Sequence, residues 1–172
     1  MKDINLKELI LIGEGSHGKV YRLDDKRCIK VCRTEKHMLN EYSVLKHAEH
    51  FPHFPKVYEC KENYMIREYI DGINIVDFIQ KNGFDQDLAK KLIEIIDVFT
   101  KLGFTRLDCR FSQIFVTGDK QLKIIDTSRH MDKIADYPYK MLKGLRRLGY
   151  KELFLKYVQE FRPNYYEAWK DK

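Results

Sequence analysis

The hydrophobic period of this chain changes once, at Asp71-Gly72. Before that point apolar residues come in short runs (Leu9 to Ile12, Val20-Tyr21, Cys28 to Cys32) bounded by Gly or Asp pairs, which predicts strands. Thr34 is the predicted cap of a helix through Glu41, Val44 and Leu45 that ends near the His and Pro residues at 50 to 55. Two more strands are predicted around 56–60 and 64–69. Beyond Asp71-Gly72, a turn signal, the spacing is helical. Asp85 is a good N-cap, Leu88, Leu92, Ile95, Ile96, Phe99 and Leu102 share one face, and Gly103 is the stop. A hairpin is expected from Ile114-Phe115-Val116 through Gly118-Asp119 to Leu122–Ile125, then helical spacing from about Ile134 to Trp169. The expected organisation is therefore a strand-rich N-terminal lobe, residues 1–69, and a helical C-terminal lobe, residues 70–172.

Composition fits that division. A chain of 172 residues has room for one domain or two small lobes sharing a cleft. With 44% hydrophobic residues, 9 Gly and 4 Pro it is globular rather than disordered or collagenous. The longest apolar run is four residues, too short to cross a membrane, so no membrane insertion is expected. No apolar leader follows Met1, and the four cysteines (Cys28, Cys32, Cys60, Cys109) show no CxxC pair, so reduced thiols in a cytoplasmic protein are expected. Cys109, beside Asp108, is expected to be accessible. The net charge of +6 suits anionic partners, but the cations are spread from Lys2 to Lys172 and alone decide nothing. His47, His50 and His53 recur every third residue, yet they lack partners in a zinc spacing and Phe51-Pro52 breaks any helix between them.

Gly13-x-Gly15-x-x-Gly18 lets backbone N–H groups approach a ligand. A dinucleotide fingerprint needs a helix after the last glycine, whereas Lys19 to Leu23 reads as a strand. A P-loop needs a hydroxyl where Val20 stands. The pattern G-x-G-x-x-G-x-V between two strands is met at every position. A plain glycine hairpin would also satisfy it. Residues farther along the chain carry more weight. Lys30 sits in Arg27-Cys28-Ile29-Lys30 on the next strand, and Glu41 lies on the next helix. Asp108-x-x-x-x-Gln113 comes far downstream, and Asp126 comes after the hairpin.

This ordered set resembles the protein-kinase-like superfamily from about Leu9 to Arg129. It is most similar to short bacterial serine/threonine kinases and to the minimal RIO-type and KEOPS-complex kinases. The resemblance implies an α+β, two-lobed kinase-like fold, with an antiparallel sheet and one helix in the N-lobe and a reduced helical C-lobe. It implies ATP and Mg²⁺. Ile12 and Val20 would cover the adenine, with Cys28 beside it and Phe115 below. Gly13, Gly15 and Gly18 would close over the phosphates, and Lys30, fixed by Glu41, would hold the α- and β-phosphates. Asp108 would receive or orient the acceptor hydroxyl's proton, Arg110 would meet the γ-phosphate, and Asp126 with Gln113 would hold metal. The implied activity is transfer of the γ-phosphoryl group to a Ser or Thr of a specific protein, with no nucleic-acid partner expected. Two alternatives are a pseudokinase that binds nucleotide or scaffolds a partner, and a small-molecule kinase.

The departures motivate those alternatives. Gln113 replaces asparagine, Arg106-Leu107 replaces His-Arg, and Asp126-Thr127-Ser128 replaces D-F-G. Only 44 residues follow Ser128, with no A-P-E, so most of the usual peptide-docking surface is expected to be missing. Arg67 falls at the back of the adenine pocket, or points outward if the register is one residue different.

Overall fold

A computed structural model of the chain describes residues 4–127, 130, 131 and 133–172. Ser128 and Arg129, the end of the expected motif region, lie outside the described residues. Five antiparallel strands form the first sheet: β1 Ile10–Gly15, β2 Gly18–Arg22, β3 Arg27–Cys32, β4 Val57–Lys61 and β5 Tyr64–Glu68, in the order β1-β2-β3-β5-β4. Helix α1, Glu35–His47, starts where the Thr34 side chain accepts from the His37 N–H, and lies against β3, β4 and β5. Its buried residues Met38, Glu41, Val44 and Leu45 follow the helical period, so a carboxylate sits in the middle of the apolar stripe.

The second part opens with a strand and a helix that the local sequence signals do not reveal. Gly72 is not in a free turn: it starts β6, Gly72–Asn74, which pairs with β7, Ile114–Thr117, and β7 pairs with β8, Leu122–Ile124. A Cβ on Gly72 would lie 2.7 Å from the Val116 carbonyl oxygen, so close strand approach explains this glycine. Asn74 then caps the short helix α2, Ile75–Asn82, accepting from the Val76 N–H at 3.0 Å. Helix α3, Gln86–Lys101, begins under the Asp85 cap and ends at Gly103 with φ +65°. Residues 134–138 are not helical; α4 spans Tyr139–Arg147, α5 Lys151–Phe161 and α6 Pro163–Trp169. One buried apolar cluster runs from Val44 and Leu45 of α1 through α3 to Phe154 and Trp169. No helix among the described residues is long and apolar enough to cross a membrane.

Candidate active site

Lys30 lies in the middle strand of the first sheet, opposite Val20 on β2 and Met65 on β5. A buried ammonium there needs an anion, and α1 supplies it. Glu41, only 1% exposed, pairs through Oε2 with the Lys30 Nζ. Its Oε1 accepts a 2.8 Å bond from Arg67 Nη1, which also donates to the Ile125 carbonyl at 2.9 Å. Arg67 stands opposite Cys28 and is 5% exposed, so it points into the molecule. Burial is the largest influence on the Arg67 guanidinium and works against its charge, but Glu41, Cys28 and Asp126 together outweigh it and hold the group above its usual range. Three charges from β3, α1 and β5 thus meet just before Asp126. Removing one partner of such a buried pair costs about 3–5 kcal/mol, because the other charge is stranded.

On the same sheet face a cavity of about 190 Å³ opens between the two sheets. Ile12, Gly13 and Val20 line it from the glycine hairpin, Cys28 and Arg67 from β3 and β5, and Phe115 from β7. The β1–β2 register skips Ile12, a bulge that gives the strand a local kink beside the cavity. The Cys28 thiol is raised by its burial, against the pull of the Arg67 guanidinium. The three glycines have different reasons. A Cβ on Gly18 would fall 2.1 Å from the Val31 carbonyl oxygen, so the fold requires that glycine. A Cβ on Gly13 would make ordinary contact with Val20, and one on Gly15 would meet nothing within 4 Å.

A second cavity, about 210 Å³, lies under the hairpin tip, with Ser16 and His17 on one side and Arg110, Gln113, Asp126 and Lys140 on the other. Gln113 Nε2 donates to Asp126 Oδ2 at 2.6 Å, and its Oε1 accepts from the Arg110 N–H at 3.3 Å. The carboxylate on one side and the N–H on the other fix which way the amide faces. Asp126 is the one carboxylate in this wall among the described residues. A hard dication takes oxygen ligands, so Asp126 fits as its anchor. Gln113, expected as a second ligand, instead turns its N–H toward Asp126 and would have to rotate to offer oxygen.

Asp108 is not in the cavity wall. It is 3% exposed, and its Oδ1 accepts from the Lys140 N–H at 2.8 Å, with Arg106 3.8 Å from Oδ2. Burial raises its pKa, against the pull of the Lys140 N–H. Cys109, expected to be accessible, is buried, and that burial pushes its thiol up to about 12; the expectation is corrected. Sequence reasoning did not single out His130, Lys140 or Lys133, which all line this cavity. His130 packs on Phe99 and Phe104 with Nδ1 3.0 Å from the Arg106 carbonyl, and burial pushes its pKa down to about 4. The signal for Lys140 was present in the helical spacing of the cations after Asp136.

Comparison with known proteins gives the family. Residues 34–146, about two thirds of the chain, match the ABC1 atypical kinase-like domain. That span holds Glu41, Asp108, Arg110, Gln113 and Asp126, and begins just after the hairpin and Lys30. The chain is 32% identical over 128 residues to serine/threonine-protein kinase cds1 of Schizosaccharomyces pombe, a match covering 66% of this chain and 28% of that protein. It is 22% identical over 162 residues to the Bacillus subtilis protein YrzF, also named as a serine/threonine-protein kinase, covering 90% of this chain and 75% of the relative. With the antiparallel sheet, the helix that brings Glu41 to Lys30 and the Asp108–Asp126 region all in kinase-like order, the chain belongs to the ABC1 atypical kinase-like family of the protein-kinase-like superfamily.

Proposed function

We propose that the chain is an ATP- and magnesium-dependent phosphotransferase that moves the γ-phosphoryl group to a Ser or Thr hydroxyl of a protein. The observation that carries this reading is the buried Lys30–Glu41 pair on the sheet face beneath the Ile12–Val20–Phe115 cavity. An ion pair in an apolar interior contributes little to stability by itself, which favours a ligand-binding role for its lysine. Gly13 and Gly15 add support, because no internal contact demands a missing side chain at either position. In this reading Ile12, Val20, Cys28 and Phe115 enclose the base, and the Gly13–Gly18 hairpin and Lys30 hold the phosphates. Bound magnesium supplies charge neutralisation of the phosphates. Asp126 would anchor it, and Gln113 orients Asp126. Arg110 faces the γ-phosphate. Asp108 takes the acceptor's proton while the acceptor oxygen bonds to the γ-phosphorus and the β–γ bridging oxygen leaves with ADP. A raised pKa makes its carboxylate the stronger base. The lobe division at 69/70 belongs to the same proposal, supported by β5 ending at Glu68 and β6 beginning at Gly72. Four free cysteines, three of them buried, suit a reducing compartment, so the proposal puts the chain in the cytoplasm.

A second reading, nucleotide binding without turnover, draws on one observation: Asp108 is buried with its carboxylate engaged by the Lys140 N–H. Intact mass after incubation with Mg-ATP separates the two readings. The transferase reading expects a phosphoryl increment on the wild type, or on a mixed protein acceptor, that Asp108→Ala abolishes. Nucleotide-induced thermal stabilisation with no transfer to any acceptor supports the binding reading instead.

A further inference from the structure

The proposed chemistry leaves unused a row of cations on α4. Between Asp136 and Glu152 the chain carries Lys140, Lys143, Arg146, Arg147 and Lys151 and no carboxylate. Lys151 is buried, with its ammonium 2.7 Å from the Lys172 carbonyl, whereas Lys143, Arg146 and Arg147 are exposed and Lys140 is half-buried. Lys151 opens α5, whereas Lys140, Lys143, Arg146 and Arg147 of α4 border a trench made of three adjoining cavities. The cavity beside Asp126 shares Arg110 and Lys140 with a neighbouring cavity of about 390 Å³. That one shares Tyr139, Lys143 and Arg147 with a third, of about 350 Å³, near the α4 C-terminus. The middle cavity has apolar walls from Val76, Phe111 and Leu148. Gly144 makes this possible, because a Cβ there would collide with the Phe111 ring at 2.8 Å.

Among the described residues no carboxylate within salt-bridge distance pairs with this rim: Arg110, Lys140, Lys143 and Arg147 have no side-chain ion pair. Lys140 is held below the usual lysine range, by burial first and then by the Arg106 guanidinium. The trench starts at the site of proposed transfer and runs away from it.

We propose that the trench along α4 docks an acidic acceptor segment, a peptide stretch rich in Asp and Glu that flanks the hydroxyl to be phosphorylated. This rests on the phosphotransferase reading and narrows its substrate class. Lys140 to Arg147 spans about 10 Å of helix, the length of about three extended peptide residues. The apolar wall suits a peptide's side chains and aliphatic stems, and the rim suits its carboxylates. Single-stranded nucleic acid fits less well, because it needs open aromatic faces for its bases. Tyr139 already carries Lys143 over its ring at 5.6 Å and packs edge-on with Tyr137 at 6.3 Å, and Lys172 covers Tyr137 at 5.6 Å. A membrane surface would need projecting apolar side chains, whereas Phe111 is buried in the wall.

The test uses the full chain and fluorescent peptides with one Ser flanked by Glu, beside twins carrying Gln or Lys instead. Anisotropy measures binding and radiolabel measures transfer in the same samples. The Glu peptide is expected to bind roughly tenfold tighter than the Gln twin, and more weakly as salt is added. Lys143→Glu with Arg147→Glu should remove that selectivity, and Lys143→Gln with Arg147→Gln should reduce it. Unchanged thermal midpoints would show that both variants fold. Equal affinity for all peptides overturns the proposal, as does selectivity that survives charge reversal. Tighter capture of oligouridylate, or of phosphatidylserine vesicles, through the same residues overturns it in favour of those partners. Glu-selective binding without transfer supports the trench and sinks only the transferase reading. Transfer to all three peptides alike sinks the trench and leaves the transferase.

Discussion

If Asp108 is the proposed base, it puts function and stability in opposition within one side chain. Its carboxyl is raised by burial, and the Lys140 N–H and the more distant Arg106 offset that only in part. A carboxyl whose folded pKa is raised supports the fold most below its unfolded value near 3.8, and that support is lost as pH rises through the folded value. At neutral pH the charge is therefore a net cost to the fold. Asp108→Asn keeps an oxygen for the Lys140 N–H and removes the charge, so it should stabilise the protein by about 1 kcal/mol at pH 7 while abolishing phosphoryl transfer. The gain should vanish below pH 3.8, where the aspartate is protonated in both states. Urea midpoints across that range provide the check. A loss of stability at pH 7 would mean that the Arg106 attraction outweighs burial. None of this conflict is visible in the string Arg106-Leu107-Asp108-Cys109, which is why the sequence singles out the aspartate as a candidate without showing its burial, and suggests an accessible Cys109.

At the scale of elements, legibility depended on whether one face of an element was wet. Helices α1 and α3 show their caps and buried stripes in sequence, and both start at the predicted residue. In β5, Met65, Ile66 and Arg67 are all buried, so period-2 alternation carries no information about which side Arg67 takes. Only the arrival of Glu41 from α1 settles it. The β6–α2 segment was missed because its opening glycine answers to the backbone of a strand more than 40 residues away, which local turn signals cannot reveal. The glycine hairpin allows these requirements to be separated experimentally. Gly18→Ala forces a Cβ against the Val31 carbonyl at φ +155° and should destabilise the protein by about 2 kcal/mol or more. Gly15→Ala meets no protein atom and should leave the thermal midpoint unchanged, while weakening binding of a fluorescent ATP analogue several-fold. If Gly15→Ala binds nucleotide as well as wild type, the hairpin does not close on phosphates in the way proposed.

Across the whole molecule, the two sheets and the helical part are joined by more than the connection at Tyr69–Asp71. Arg67 bonds the Ile125 carbonyl, Lys123 bridges to Glu68 at 2.9 Å, the Ile124 N–H donates to the His53 carbonyl at 2.9 Å, and the His47 ring contacts the Leu102 carbonyl. Beneath these polar ties, Val44 and Leu45 of α1 belong to the same buried cluster as α3 and Trp169. A core continuous across both parts unfolds as one unit, because neither part can lose its partner's apolar surface and keep its own packing. The chain has one tryptophan, and it stacks on Tyr165 in α6, far along the chain from Lys30 and Glu41. Its fluorescence therefore tracks the helical part alone, while far-ultraviolet circular dichroism tracks all elements. The two signals should give coincident urea transitions in wild type. They should stay coincident in Glu41→Ala, which strands two buried cations and should lower stability by about 3–5 kcal/mol. If Trp169 instead keeps its wild-type midpoint in Glu41→Ala while the dichroism shifts, the sheet part melts by itself. The charge triad would then serve only local order. A joint shift means that the geometry around Lys30 is held by the entire core, so a substitution as distant as α6 can disturb the candidate site.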